Sequence, residues 1–131
     1  MTNITIIEGE RMTDTLKIFI ENNVDLIEQD VELFIGRAYE QLYYFETTEL
    51  VEILKNANID ILADIDAFLK KYIVKNIRSF NNEPLDDFIE DIPPFHKTKY
   101  ELSDMIASIA DEQGYDIVYD ENDKEWIEER S

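Results

Sequence analysis

Val24, Ile27, Val31, Phe34, Ala38, Leu42 and Phe45 fall three and four residues apart. That step lines side chains up along one face of an α-helix. A stripe this long predicts one helix over residues 23–45, buried along the stripe against other helices. Overlapping its start is "ENNVDLIEQDVE", residues 21–32, with five carboxylates and no Lys or Arg. Glu21, Asp25, Glu28 and Glu32 are spaced four, three and four apart, so they share the face opposite the stripe. Like charges at that spacing cost a helix about 0.2–0.5 kcal/mol per pair. The chain carries the row at the expense of stability, and that points to a use.

Helical periodicity continues on both sides. From Thr13, Leu16, Phe19 and Ile20 face inward until Asn22 and Asn23 interrupt. "TTELVEILKNAN" (47–58) reads as a helix capped by Thr47 or Thr48 and burying Leu50, Val51, Leu54 and Ala57. Asn58 or Asp60 caps the next helix, with Leu62, Ile65, Phe68, Leu69, Tyr72, Ile73 and Ile77 inside. Pro84 suits the first position of a short helix carrying Leu85, Phe88 and Ile89, and Pro93-Pro94 stops it. "TKYE" (98–101) has capping-box form, ahead of Leu102, Met105, Ile106 and Ile109, with Gly114 as terminator. Gly36 weakens its helix by about 1 kcal/mol relative to Ala, which predicts close packing there. "NITIIE" (3–8) reads as a strand, and "YDIVYDENDKEWIE" (115–128) as a hairpin that pairs with it. The expected fold is mainly α: one compact acidic helical domain over 1–131, of about five or six helices, with a small β element formed by the N-terminal strand and C-terminal hairpin.

Much chemistry is missing from this sequence. There is no Cys, and the single His, His96, sits in the loop "PPFHK", where solvent exposure is expected. A Cys–His pair or a His-rich metal centre needs more than that. Glycines occur only at 9, 36 and 114, so there is no phosphate-cradling loop. A calcium-loop pattern starts at Asp120 and Asn122 but fails at Lys124, Glu125 and Ser131, where a ligand, a turn glycine and a bidentate Glu belong. No metal, cofactor or catalytic residue is expected. A carboxylate pair for hydrolysis is the remaining enzymatic alternative, and no pair is singled out among 31 acids.

Charge says more. Twelve Lys and Arg against 31 Asp and Glu give −19. Such a chain is repelled by nucleic acid and by anionic membrane, and associates fast with basic partners. With 44% hydrophobic residues, 7 Phe, 7 Tyr and 1 Trp, it is too apolar for a disordered acidic tail. No apolar run reaches the ~18 residues of a membrane span, so a cytoplasmic location is expected. The acids form two blocks around a near-neutral stretch, 59–82, where Lys70, Lys71, Lys75 and Arg78 gather and neutralise acidic neighbours. Solubility alone is the plain explanation of the acidity. The run "AYEQLYYFE" (38–46) is the second unusual stretch. Leu42 and Phe45 fit the stripe, but Tyr39, Tyr43 and Tyr44 cannot all join them, and exposed Tyr is enriched in protein interfaces.

A helix that sets carboxylates ~5–6 Å apart imitates a phosphate backbone, whose charges recur every few Å along a strand. Rigid mounting helps, because a preordered surface loses less entropy on binding. Here the chain resembles the small phage and mobile-element proteins that inhibit restriction or CRISPR enzymes by mimicking DNA, particularly the Ocr type. The resemblance lies in size, acidity, helical layout and the stretches "RAYEQL" (37–42) and "ETTELVEIL" (46–54). It departs from that type in its strand-like start and in the basic group at 70–78. It implies a dimeric, non-enzymatic inhibitor whose partner is a basic nucleic-acid-binding protein, a nuclease, restriction enzyme or CRISPR effector. The expected partner-binding acids are Glu21, Asp25, Glu28, Glu32, Glu46, Glu49, Asp86, Asp87, Glu90 and Asp91, with Tyr39, Tyr43 and Tyr44 as aromatic contacts. The rival reading is an antitoxin or immunity protein masking one basic toxin. A homodimer is expected to cover Tyr39, Tyr43, Tyr44, Phe80 and Phe95, which are hard to place in one small core.

Overall fold

The computed structural model describes residues 13–130, so the strand expected at "NITIIE" lies outside the described residues. The described chain is mainly α, and among the described residues a small antiparallel sheet has three strands. Among the described residues six helices run in the order α1 (Asp14–Gln29), α2 (Val31–Gln41), α3 (Tyr44–Asn56), α4 (Leu62–Asn76), α5 (Leu85–Glu90) and α6 (Lys99–Gln113). They fall into two compact units. The first takes in residues 13–68 and 93–96, and the second 69–92 and 97–130.

In the first unit the helix does not break where the sequence suggests. Asn22 and Asn23 lie inside α1. Asn23 is buried and satisfied: its amide donates to the Phe19 carbonyl at 2.8 Å and its oxygen accepts from Arg37 Nη1 at 3.0 Å. A mid-helix Asn that bonds back one turn has no reason to leave the helix. The break comes at Asp30, which leaves helical geometry (φ −157°, ψ 81°). Its N–H donates to the Leu26 carbonyl at 2.8 Å, closing α1, and its Oδ1 accepts from the Leu33 amide at 3.1 Å, opening α2. One residue ends one helix and caps the next.

The second correction is at 42–47. Leu42 and Tyr43 are extended, which resets the helical phase. Helix α3 therefore starts at Tyr44, earlier than a cap at Thr47 or Thr48 would give. Thr47 is fully buried, and its hydroxyl donates to the Tyr44 carbonyl at 2.7 Å. The new phase turns Glu46, Thr47, Leu50, Val51 and Leu54 inward and Phe45 outward. Leu16, Phe19, Ile20, Ile27, Phe34, Ile35 and Ala38 complete the buried set of α1 and α2, with Phe19 and Phe34 5.4 Å apart.

Gly36 is roomier than expected. A Cβ there meets Phe68 Cε2 at 3.9 Å, an ordinary contact. Gly36→Ala should therefore raise stability by about 0.5–1 kcal/mol, through helix propensity. Urea denaturation reads this directly, and a loss of stability would mean the helices pack closer than this geometry.

The second unit is built on the last part of α4, with Leu69 and Ile73 fully buried, followed by a 3-10 turn (Ile77–Phe80). Strand β1 (Glu83–Pro84) leads into α5. The Thr98 hydroxyl accepts from Glu101 N at 3.1 Å while Glu101 Oε1 accepts from Thr98 N at 3.2 Å, so the capping box opens α6. Gly114 closes it in the left-handed region (φ 86°), which glycine enters without the Cβ penalty. Strands β2 (Tyr115–Tyr119) and β3 (Glu125–Glu129) form the hairpin, and β3 pairs on its other edge with β1. The third strand of the sheet is thus a two-residue stretch before α5.

Candidate functional site

Each expected binding acid has a definite place. Glu21, Asp25 and Glu28 are exposed on α1, and Glu32 is exposed on α2, beyond the Asp30 break. The row of four on one helix is therefore three on one helix and one on the next. Glu28 adds a further cost, since it lies near the C-terminal end of α1, where the helix dipole disfavours negative charge and the last turn holds no base.

Glu46 does not belong to the surface. It is 3% exposed. Its Oε1 accepts from the Thr13 hydroxyl at 2.6 Å and its Oε2 from the Tyr43 N–H at 3.3 Å, so it joins the start of α1 to the start of α3. The residue type suggested surface, and the helix start at Tyr44 instead puts the side chain at the third helical position, where Glu reaches back to cap. Glu49 is half-buried, and its Oε2 is shielded with no hydrogen-bond partner among the described residues.

In the second unit Asp86, Asp87, Glu90 and Asp91 are exposed at α5. Two of them are engaged: Asp86 lies 3.2 Å from Lys99 Nζ, and Asp91 accepts a hydrogen bond from the Tyr72 hydroxyl. Lys70, Lys71 and Lys75 are exposed on α4, whereas Arg78 falls on the 3-10 turn after that helix has ended.

The aromatics separate into two groups. Tyr39 is half-buried against Phe68 at 5.7 Å. Phe80 stacks on Phe88 at 4.3 Å, and Phe95 is buried. These three pack against other residues of the chain, Phe95 fully and Tyr39 and Phe80 in part. Phe95 takes a positive φ of 55°. The same loop leaves His96 half-buried, 3.5 Å from Asp66, where sequence suggested a solvated histidine. Tyr43, Tyr44 and Phe45 form the other group, at 71%, 46% and 61% exposure. The Tyr43 and Phe45 rings lie 10° from parallel with centroids 6.5 Å apart. Phe45 was expected on the core stripe. The clue against it was available: four aromatics in "YEQLYYF" cannot share one helical stripe.

The hairpin loop that resembles the start of a calcium loop has another use for its aspartate. Asp120 Oδ2 accepts from the Trp126 indole at 2.9 Å, and Oδ1 accepts from the Asn122 and Lys124 amides at 2.8 and 3.0 Å. The indole bond first, and then the two amides, hold its carboxyl below the usual range. Arg130 Nη2 reaches Asp116 at 2.7 Å and Asp111 at 2.8 Å, lowering the Asp116 pKa and raising its own. These carboxylates fasten the hairpin. Among the described residues no group of three or more His, Cys, Asp or Glu is arranged to hold a metal ion. None of the described helices is long and apolar enough to cross a membrane. No family profile, curated protein or solved structure matches the chain.

Proposed function

We propose that the protein is a non-enzymatic acidic binding protein that occupies the nucleic-acid site of a basic enzyme, such as a restriction or CRISPR nuclease. The carrying observation is the exposed Glu21, Asp25 and Glu28 on a helix whose opposite side is buried. Their spacing is near that of phosphates along a strand, and their mounting is rigid. The self-repulsion along the row and the carboxylate in a last helical turn without a base are costs that a binding role explains. On this reading the protein acts in the cytoplasm, of a host cell if phage-encoded, and takes no cofactor. With Tyr39, Phe80 and Phe95 packed, a homodimer has less apolar surface to cover.

The exposed Tyr43, Tyr44 and Phe45 favour a second reading, a dedicated antitoxin or immunity protein. Aromatic anchors suit a pocket on one partner better than a general phosphate track. The two readings separate in a competition assay against a panel of unrelated DNA-binding nucleases. The mimic reading expects inhibition of several, relieved by excess duplex DNA, with affinity falling by about 10³-fold or more between ~50 and ~200 mM salt. Inhibition that ignores both DNA and salt would remove it.

A further inference from the structure

We propose that Tyr43 and Phe45 form a docking site for an arginine-bearing segment of a basic protein partner. This rests on the proposed role as a binder of basic proteins and names a contact within it. Two exposed rings 6.5 Å apart and 10° from parallel present faces of nearly the same orientation. A guanidinium is planar and stacks on such faces, whereas an ammonium is a compact, strongly hydrated point charge. Orientation therefore favours Arg over Lys.

Charge complementarity names the occupant further. Between Arg37 and Lys55 there is no base, and the exposed Glu40 and Glu52 and the half-buried Glu49 fall in that interval. Arg37 is engaged with Asn23. Lys55 lies ten residues beyond Phe45 along α3, roughly 15 Å away at the helical rise. Glu46 answers the Tyr43 amide and sets a carboxylate within the first turn of α3, which offsets the positive end of that helix. Exposed aromatics on a stretch of chain that carries acids and no base draw a cation and discourage an anion. Nucleic acid and anionic lipid are thereby disfavoured, and a second copy of this chain brings repulsion.

The test uses the full chain and two labelled peptides of equal length and charge, one bearing Arg and one Lys, with binding followed by fluorescence anisotropy at about 50 mM salt. The Arg peptide should bind roughly five- to tenfold more tightly, from two exposed ring contacts. The double variant Tyr43→Ala/Phe45→Ala should remove that preference and leave Lys-peptide affinity within about twofold. Tyr43→Phe should retain it. Equal affinity for both peptides overturns the site while leaving the acidic binding role standing, and failure of both peptides to bind overturns both. A preference that survives the double substitution also overturns it. So does a wild-type dimer, seen by sedimentation, that the double variant turns into monomers, because the patch is then covered by a second copy. Deleting residues 1–12 keeps the Arg preference if the site is open; its appearance only after deletion would assign the patch to the chain's own N-terminal segment.

Discussion

Glu46→Ala is expected to cost about 2–3 kcal/mol, a large loss for a change that leaves the apolar core alone. The removed carboxylate accepts two hydrogen bonds in a buried place, from Thr13 and from Tyr43. Truncation leaves a hydroxyl and an amide without partners and a void where the side chain lay, and each adds to the deficit. Glu46→Gln should cost about half as much, since an amide keeps one acceptor oxygen and loses the other. Thr13→Val alone should cost roughly 1 kcal/mol. Because the two residues share one bond, Thr13→Val in the Glu46→Ala background should cost less than it does alone. Urea melts of the wild type and the four variants measure all of this. A Glu46→Ala midpoint indistinguishable from wild type would show that the carboxylate is not held as described, and would return it to the surface acids.

What could be read from sequence follows from how local each cause is. The Thr98–Glu101 box and the Gly114 stop are local, because a hydroxyl, a carboxylate and a missing Cβ act within a few residues of themselves. The hairpin was legible for the same reason. The partner strand was not: Glu83–Pro84 is too short to carry an alternating pattern, and only its pairing with Ile127 and Trp126 marks it. Asn23 and Asp30 show the limit most clearly. Both are short polar residues that propensity places at helix ends, yet one is held inside a helix by Arg37, fourteen residues on, and the other ends it. Everything at 43–46 depended on that kind of distant information. Once the chain leaves helical geometry at Leu42, counting residues from Val24 no longer gives the face. Phe45 then points out and Glu46 in, the reverse of what polarity suggests. Polarity alone did not tell the exposed acids of α1 from Glu46 and Asp30, which hold helix ends together.

That difference makes the five carboxylates of residues 21–32 behave in two ways on substitution. Glu21→Gln, Asp25→Asn and Glu28→Gln together should leave the fold intact or slightly more stable. Two repulsive pairs on α1, 21 with 25 and 25 with 28, are relieved, and the end of the helix loses an unfavourable charge. Asp30→Ala should do the opposite and cost about 1 kcal/mol, because it removes the cap of α2, while Asp30→Asn keeps a capping oxygen and should cost little. Binding should sort the same residues differently. The triple variant should bind an inhibited nuclease at least about tenfold more weakly at ~50 mM salt and show a shallower salt dependence, with each single change worth only about two- to threefold. Adding Glu32→Gln should weaken binding further without adding to stability, since Glu32 stands on α2 and shares no helical repulsion with Glu28 across the break. Denaturation and titration of the same set of variants therefore give opposite rankings if the row serves a partner. A single neutral substitution that abolishes inhibition by itself would replace distributed charge with one specific contact, and a triple variant that binds as tightly as wild type would remove α1 from the binding surface altogether.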